Sequence, residues 1–188
     1  MRIECGPCAL RPWQSGDESA LVRHGNDRRV WEGLRDRFPH PYTQADAEGW
    51  IGFARAQRPT LNLAIVVDGE PVGGIGIELQ EDVHRHAAEL GYWLGAAVWG
   101  RGLATAAVRA MTSHVFNTLE VRRLYATPFA SNPASARVLE KLGYRHEGRL
   151  RSHVLKDGRF LDLDVYGVLR EEWTGKAGAG QRGQEAVR

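Results

Sequence analysis

VWGRGLATAA, Val98 to Ala107, sets two glycines around an arginine and runs straight into small helix-forming residues. From Leu103 onward the apolar positions fall at Leu103, Ala106, Ala107, Ala110, Met111, His114 and Val115, a helical stripe reaching about Thr118. The stretch is therefore a loop feeding a helix, and the fold turns on what the loop does. A nucleotide P-loop shares the glycine spacing of Gly95 and Gly100, but Arg101 and Gly102 stand where it needs lysine and a hydroxyl residue. A dinucleotide fingerprint fails too: Thr105 replaces the third glycine, and antiparallel strands precede the loop instead of an opening βαβ unit. Two readings remain open on these residues alone. The free N–H groups and dipole of the helix start attract an anion, glycine lets it approach the main chain, and Arg101 adds a cation. Alternatively, Gly100 and Gly102 only make the turn.

Working outward, Ala9 to Arg11 ends a first strand and Asp17 to about Gly25 forms a helix. Arg28 to Tyr42 holds two prolines and three aromatics without a period, which predicts an irregular loop of the kind that shapes binding sites. Thr43 caps a helix over Gln44 to Ala56, with Ala47, Trp50, Ile51 and Ala54 on one face. Leu61 to Val67 and Val72 to Leu79 are strands joined at Asp68-Gly69, and His86 to Leu94 is a third. After the glycine loop and its helix come a strand at Arg123 to Thr127 and a helix at Asn132 to Leu142, stopped by Gly143. Tyr144 to Leu155 and Phe160 to Leu169 close the chain around Lys156-Asp157-Gly158-Arg159. The order β-α-α-β-β-β-α-β-α-β-β predicts one mixed α/β domain over residues 1–173. Residues 174–188, rich in Gly, Ala, Gln and charge, read as a disordered tail.

With 188 residues, 43% hydrophobic and 26% charged, the chain has the composition of a globular protein. A net charge of +2 gives no argument for nucleic acid or an anionic membrane. No apolar stretch reaches bilayer length, and MRIECGPCALRPW lacks a signal-peptide core, so cytoplasmic residence is expected. Cys5-Gly6-Pro7-Cys8 spells a thioredoxin-type redox motif, yet only four residues precede it and no core strand can. A turn beside the first strand is the expectation.

Three stretches carry a resemblance: FPHPYTQADAEGWI (38–51), GYWLGAAVWGRGLATAAVRAM (91–111) and SNPASARVLEKLGY (131–144). Together they resemble the GNAT superfamily of N-acetyltransferases, and within it the RimJ/RimL-like branch of ribosomal-protein N-terminal acetyltransferases. The resemblance implies a mostly antiparallel twisted sheet of about seven strands flanked by helices. It also implies acetyl-CoA as cosubstrate, no metal, and an amine-bearing acceptor. That acceptor would be a protein N-terminus, or a polyamine, antibiotic or metabolite; a non-catalytic acyl-CoA-binding regulator is the alternative outside enzymes. A homodimer is the default assembly.

The family's pyrophosphate loop, Q/R-x-x-G-x-G/A, falls on Trp99, Gly100, Arg101, Gly102, Leu103 and Ala104, with Thr105 next on the helix; only Trp99 departs from the pattern. By the same resemblance, Trp93 and Leu94 lie along the pantetheine arm and Asn132 hydrogen-bonds it. A main-chain N–H near Trp93 or Leu94 would serve the developing oxyanion. Glu89 is the expected base, and strand alternation puts it with Gly91 and Trp93, opposite Leu90, Tyr92 and Leu94. A solvent-facing or salt-bridged strand carboxylate is the competing reading of Glu89. Leu139 stands where many members carry a tyrosine, so Ser135 is expected to stabilise the leaving thiolate, or merely to cap its helix. Phe38, Tyr42 and His153 are expected on the acceptor side, and Arg28, Arg29, Arg35 and Arg37 would disfavour a highly cationic acceptor there.

Overall fold

A computed structural model describes residues 1–175, so the expected tail lies, from residue 176 on, outside the described residues. The strands are β1 (Ile3–Glu4), β2 (Ala9–Pro12), β3 (Asn62–Val67), β4 (Glu70–Leu79), β5 (Ala87–Leu94), β6 (Arg123–Ala126), β7 (Arg145–Lys156) and β8 (Arg159–Leu169). The helices are α1 (Glu18–Gly25), α2 (Arg28–Trp31), α3 (Gln44–Ala56), α4 (Leu103–Thr118) and α5 (Pro133–Lys141). Among the described residues one eight-stranded sheet runs β1-β2-β3-β4-β5-β6-β8-β7, and only its β5–β6 pair is parallel. The eighth strand is β1, which closes a hairpin with β2 around Cys5-Gly6-Pro7-Cys8. Its two residues are too few to show an alternation in sequence. The Arg28–Tyr42 segment is likewise not all loop: Asp27 accepts the Arg29 N–H at 2.9 Å and starts the single turn of α2.

α3 occupies the range expected for it, because Thr43 and Asp46 exchange hydrogen bonds in a reciprocal cap. The sheet buries both faces. Leu63 and Ile65 of β3 pack with Leu90, Met111, Val115, Leu124 and Leu139 under α4 and α5. Ala64 and Val66 face the other way, onto Trp13, Leu21, Ala47 and Ile51 under α1 and α3. No helix among the described residues is long and apolar enough to cross a membrane.

The register creates the opening that matters. β4 and β5 pair without a break from Gly73–Leu94 to Leu79–Ala88, whereas β5 and β6 share only three positions, ending at Glu89–Tyr125. β6 stops at Ala126, and Pro128 just beyond has no N–H to extend the ladder. Past Glu89, β5 therefore has no strand on its β6 side among the described residues, and the first turn of α5 lies there instead, with Ser135 against Tyr92.

Candidate active site

The end of β5 and the start of α4 form one wall of this cleft. The Gly95 N–H bonds Val72 O at 2.8 Å, and Ala87 O accepts from Gln80 N–H at 3.2 Å. Odd-numbered residues of β5 thus turn their main chain to β4, and Tyr92 and Leu94, beyond the last pair with β6, turn theirs to the cleft. Of the two positions expected along the pantetheine arm, the free main-chain N–H is that of Leu94; Trp93 pairs instead with Gly74. Trp93 contributes its indole, held against Gly74 and 5.1 Å from the Phe38 ring. Trp99, the departure from the family loop, donates its indole N–H to Leu94 O at 2.8 Å and lies 6.0 Å from the Arg29 guanidinium. It caps the strand end through its side chain.

Gly100 and Gly102 have φ of +77° and +76°. A Cβ on either would meet no protein atom within 4 Å, so packing does not require glycine there; the backbone conformation does. Gly102 is the N-cap of α4 and brings no side chain to the exposed helix end. The first helical hydrogen bond is Ala106 N–H to Gly102 O at 3.1 Å. The N–H groups of Leu103, Ala104 and Thr105 precede it and point out of the helix end, beside the Arg101 cation. These donors, with the unpaired edge of β5, fit a phosphate-bearing chain that lies along a strand.

Across the cleft, Asn132 caps α5 by accepting the Ser135 N–H at 3.1 Å on Oδ1. Its amide nitrogen, near Gly33, is left as the donor. Ser135 Oγ is 2.8 Å from Tyr92 Oη. Glu89 lies on the opposite face of β5. It accepts hydrogen bonds from Thr127 Oγ1 at 2.6 Å and from the Arg35 guanidinium, and is 14% exposed. Glu78 is its partner across the β4–β5 ladder and lies 3.9 Å from Arg35, so one guanidinium serves two facing carboxylates. Glu89 and the Tyr92–Ser135 pair thus sit on the two faces of one strand, at the point where it leaves its neighbour.

The remaining expected residues scatter. Phe38 packs on Trp93, on the Glu89 face. Tyr42 is buried beneath Phe38, ring centroids 4.6 Å apart, and is 4% exposed, so it offers little surface to an acceptor. His153 is exposed on the edge strand β7, in the register shift between Leu150 and Val154, with β8 and β6 between it and β5. The loop arginines are all paired: Arg28 with Glu32 and Asp157, Arg29 with Asp27, Arg35 with Glu89, and Arg37 with Glu78. Their excess positive charge is therefore cancelled locally. Cys5 and Cys8 are free thiols in the β1–β2 turn, where Cys5 N–H bonds Cys8 O at 2.9 Å. The hydrogen bond between the two thiols, with burial, pushes Cys5 up and the same bond lowers Cys8.

Three contacts had no local signal in the sequence. Arg35 reaches Glu89 across 54 positions, Tyr92 reaches Ser135 across 43, and Lys156 across 120 bonds Asp36 at 2.7 Å. Lys156 is buried, with its ammonium 3.6 Å from the centre of the Trp31 ring; it fastens the 31–42 loop to the β7–β8 hairpin.

A strand parting from its parallel neighbour, beside an uncapped glycine helix start, is the arrangement of acyl-CoA N-acyltransferases. The chain belongs to the acetyltransferase (GNAT) domain family, which matches residues 8–145. It is 32% identical over 156 residues to the L-amino acid N-acetyltransferase AaaT of Escherichia coli, covering 76% of this chain and 93% of that protein. It is 30% identical over 166 residues to the ribosomal protein uS5-alanine N-acetyltransferase of the same organism, covering 86% and 84%. Among solved structures it resembles RimJ of Mycobacterium smegmatis in complex with CoA-disulfide, with a TM-score of 0.76, 28% identity, and coverage of 91% and 86%. Matches to three Bacillus relatives at 32–34% identity span only 56–63% of those proteins' lengths.

Proposed function

We propose that this protein transfers the acetyl group of acetyl-CoA to a primary amine, and that the amine is a protein N-terminus such as that of a ribosomal protein. The observation that carries the reading is the parting of β5 from β6 beside the uncapped N-terminus of α4. When bound there, acetyl-CoA supplies the activated acyl group and a thiolate leaving group. Leu103, Ala104 and Thr105 offer N–H groups, and Arg101 a cation, to its pyrophosphate; Leu94 offers an N–H to the acyl oxygen. Glu89 takes the proton that the amine must lose, since an ammonium has no lone pair and a free α-amine has a pKa of about 8. Arg35 must release the carboxylate, at least in part, for the amine to reach it. Ser135, on the far face of β5, donates a hydrogen bond to the departing sulfur.

The name of the uS5-alanine relative supports a protein N-terminus, and that of AaaT, at comparable identity, supports a free amino acid as the second reading. Acetyl-CoA turnover with an N-terminal peptide panel and a panel of free amino acids and polyamines decides between them. Turnover with peptides alone carries the first reading, and turnover with free amino acids alone replaces it. We also propose cytoplasmic residence, which suits two free thiols, and a homodimer, which sedimentation at micromolar concentration tests.

A further inference from the structure

The Tyr92 hydroxyl has one proton and two acceptors in reach: Ser135 Oγ at 2.8 Å and Ser135 O at 3.3 Å. The nearer is the hydroxyl. A phenol is a stronger acid than an alkyl alcohol, so in a phenol–alcohol pair the phenol donates. Ser135 Oγ then accepts, and its own proton must point elsewhere. Tyr92 packs against the core cluster that holds Leu90, Leu94 and residues of α4, whereas Ser135 is half-buried in the first turn of α5, on the cleft side of the pair. Burial pushes the Tyr92 phenol up to about 12, so the donor stays protonated throughout the neutral range.

We propose that Tyr92 is a positioning residue: by donating to Ser135 Oγ it turns the serine proton into the cleft, toward the leaving sulfur. This rests on the acetyltransferase reading and deepens it. As the amine nitrogen bonds the acyl carbon, the C–S bond breaks and its electron pair goes to sulfur. Glu89 holds the proton whose loss freed the amine lone pair, the nitrogen sheds its second proton to water as the amide forms, and the sulfur leaves as a thiolate hydrogen-bonded by Ser135 that takes a proton from water after release. No proton leaves Tyr92. A serine that already accepts a hydrogen bond is a stronger donor, which is the cooperative effect of a hydroxyl chain.

Two measurements test this. The first needs no turnover. The intensities of the tyrosine ring doublet in the Raman spectrum distinguish a phenol that donates from one that only accepts. The difference spectrum of the parent and Tyr92→Phe is expected to show a donor, and an acceptor spectrum overturns the proposal. The second is a cycle of Tyr92→Phe, Ser135→Ala and the double variant, with melting curves confirming that each is folded. Tyr92→Phe should lower kcat about three- to tenfold, the scale of one hydrogen bond, with unchanged KM for acetyl-CoA and acceptor. The double variant should be no slower than Ser135→Ala. Full additivity, or a loss confined to KM, overturns the pairing while leaving the acetyltransferase reading intact. A folded parent without amine-dependent CoA release overturns that reading, and the pairing with it.

Discussion

Gly102 separates a turn from an anion site. Its φ of +76° lies in the left-handed region, and a Cβ there would touch no protein atom within 4 Å. Gly102→Ala therefore has no steric clash to relieve and loses stability only through backbone strain, about 1–2 kcal/mol. For a chain of this size that lowers Tm by about 2–8 °C. Asparagine tolerates the left-handed region better, so Gly102→Asn should be close to the parent in stability. It nonetheless puts a side chain in front of the Leu103, Ala104 and Thr105 N–H groups. Displacing one hydrogen bond to a charged phosphate costs about 1.5–3 kcal/mol, roughly a ten- to hundredfold loss of affinity. Urea unfolding measures the first quantity and calorimetric titration with CoA the second. An asparagine variant that binds CoA as tightly as the parent refutes the anion site and leaves a glycine that only turns the chain. A valine variant cannot decide the question, because a β-branched residue at this φ damages folding as well.

Glu89→Gln should lower kcat by about 10²–10⁴ with CoA affinity unchanged, and high pH should partly restore it as more amine becomes neutral unaided; pH–rate profiles showing less than about a threefold loss rule out a base role. Gly74→Ala should destabilise by about 1–3 kcal/mol in urea unfolding, because its Cβ would lie 2.8 Å from Trp93 Nε1 and 3.3 Å from the Trp13 ring. Hydrogen bonds from Arg149, the main cause, and from His146 hold the Asp164 carboxyl below its ordinary 3.8. That pairing stabilises the fold above pH ~4 and is lost as pH falls through the lowered value, so Arg149→Gln should flatten the acid limb of the stability curve.

Local chemistry made much of this legible. The Thr43–Asp46 cap and the apolar stripe placed α3, and the left-handed glycines marked the start of α4. The faces of β5 followed from alternation alone, which put Glu89 and Ser135's partner Tyr92 on opposite sides. What stayed hidden was set by tertiary packing. Nothing near Arg35 in sequence points to a carboxylate 54 positions away, so Glu89 could be read as a base or as half of an ion pair; the structure shows the ion pair. The β1 strand and the single turn of α2 were too short to carry a period. Lys156 was invisible as a core residue, because only the Trp31 ring and Asp36 make its burial tolerable.

Acetyl transfer by this chain is tested by following the release of free CoA thiol from acetyl-CoA by the purified protein, with and without an N-terminal peptide. Release should depend on the peptide, and mass spectrometry should find the peptide amine acetylated. A folded protein that binds CoA, yet releases no thiol with any peptide, free amino acid or polyamine, would contradict acetyl transfer and leave an acyl-CoA-binding protein without turnover.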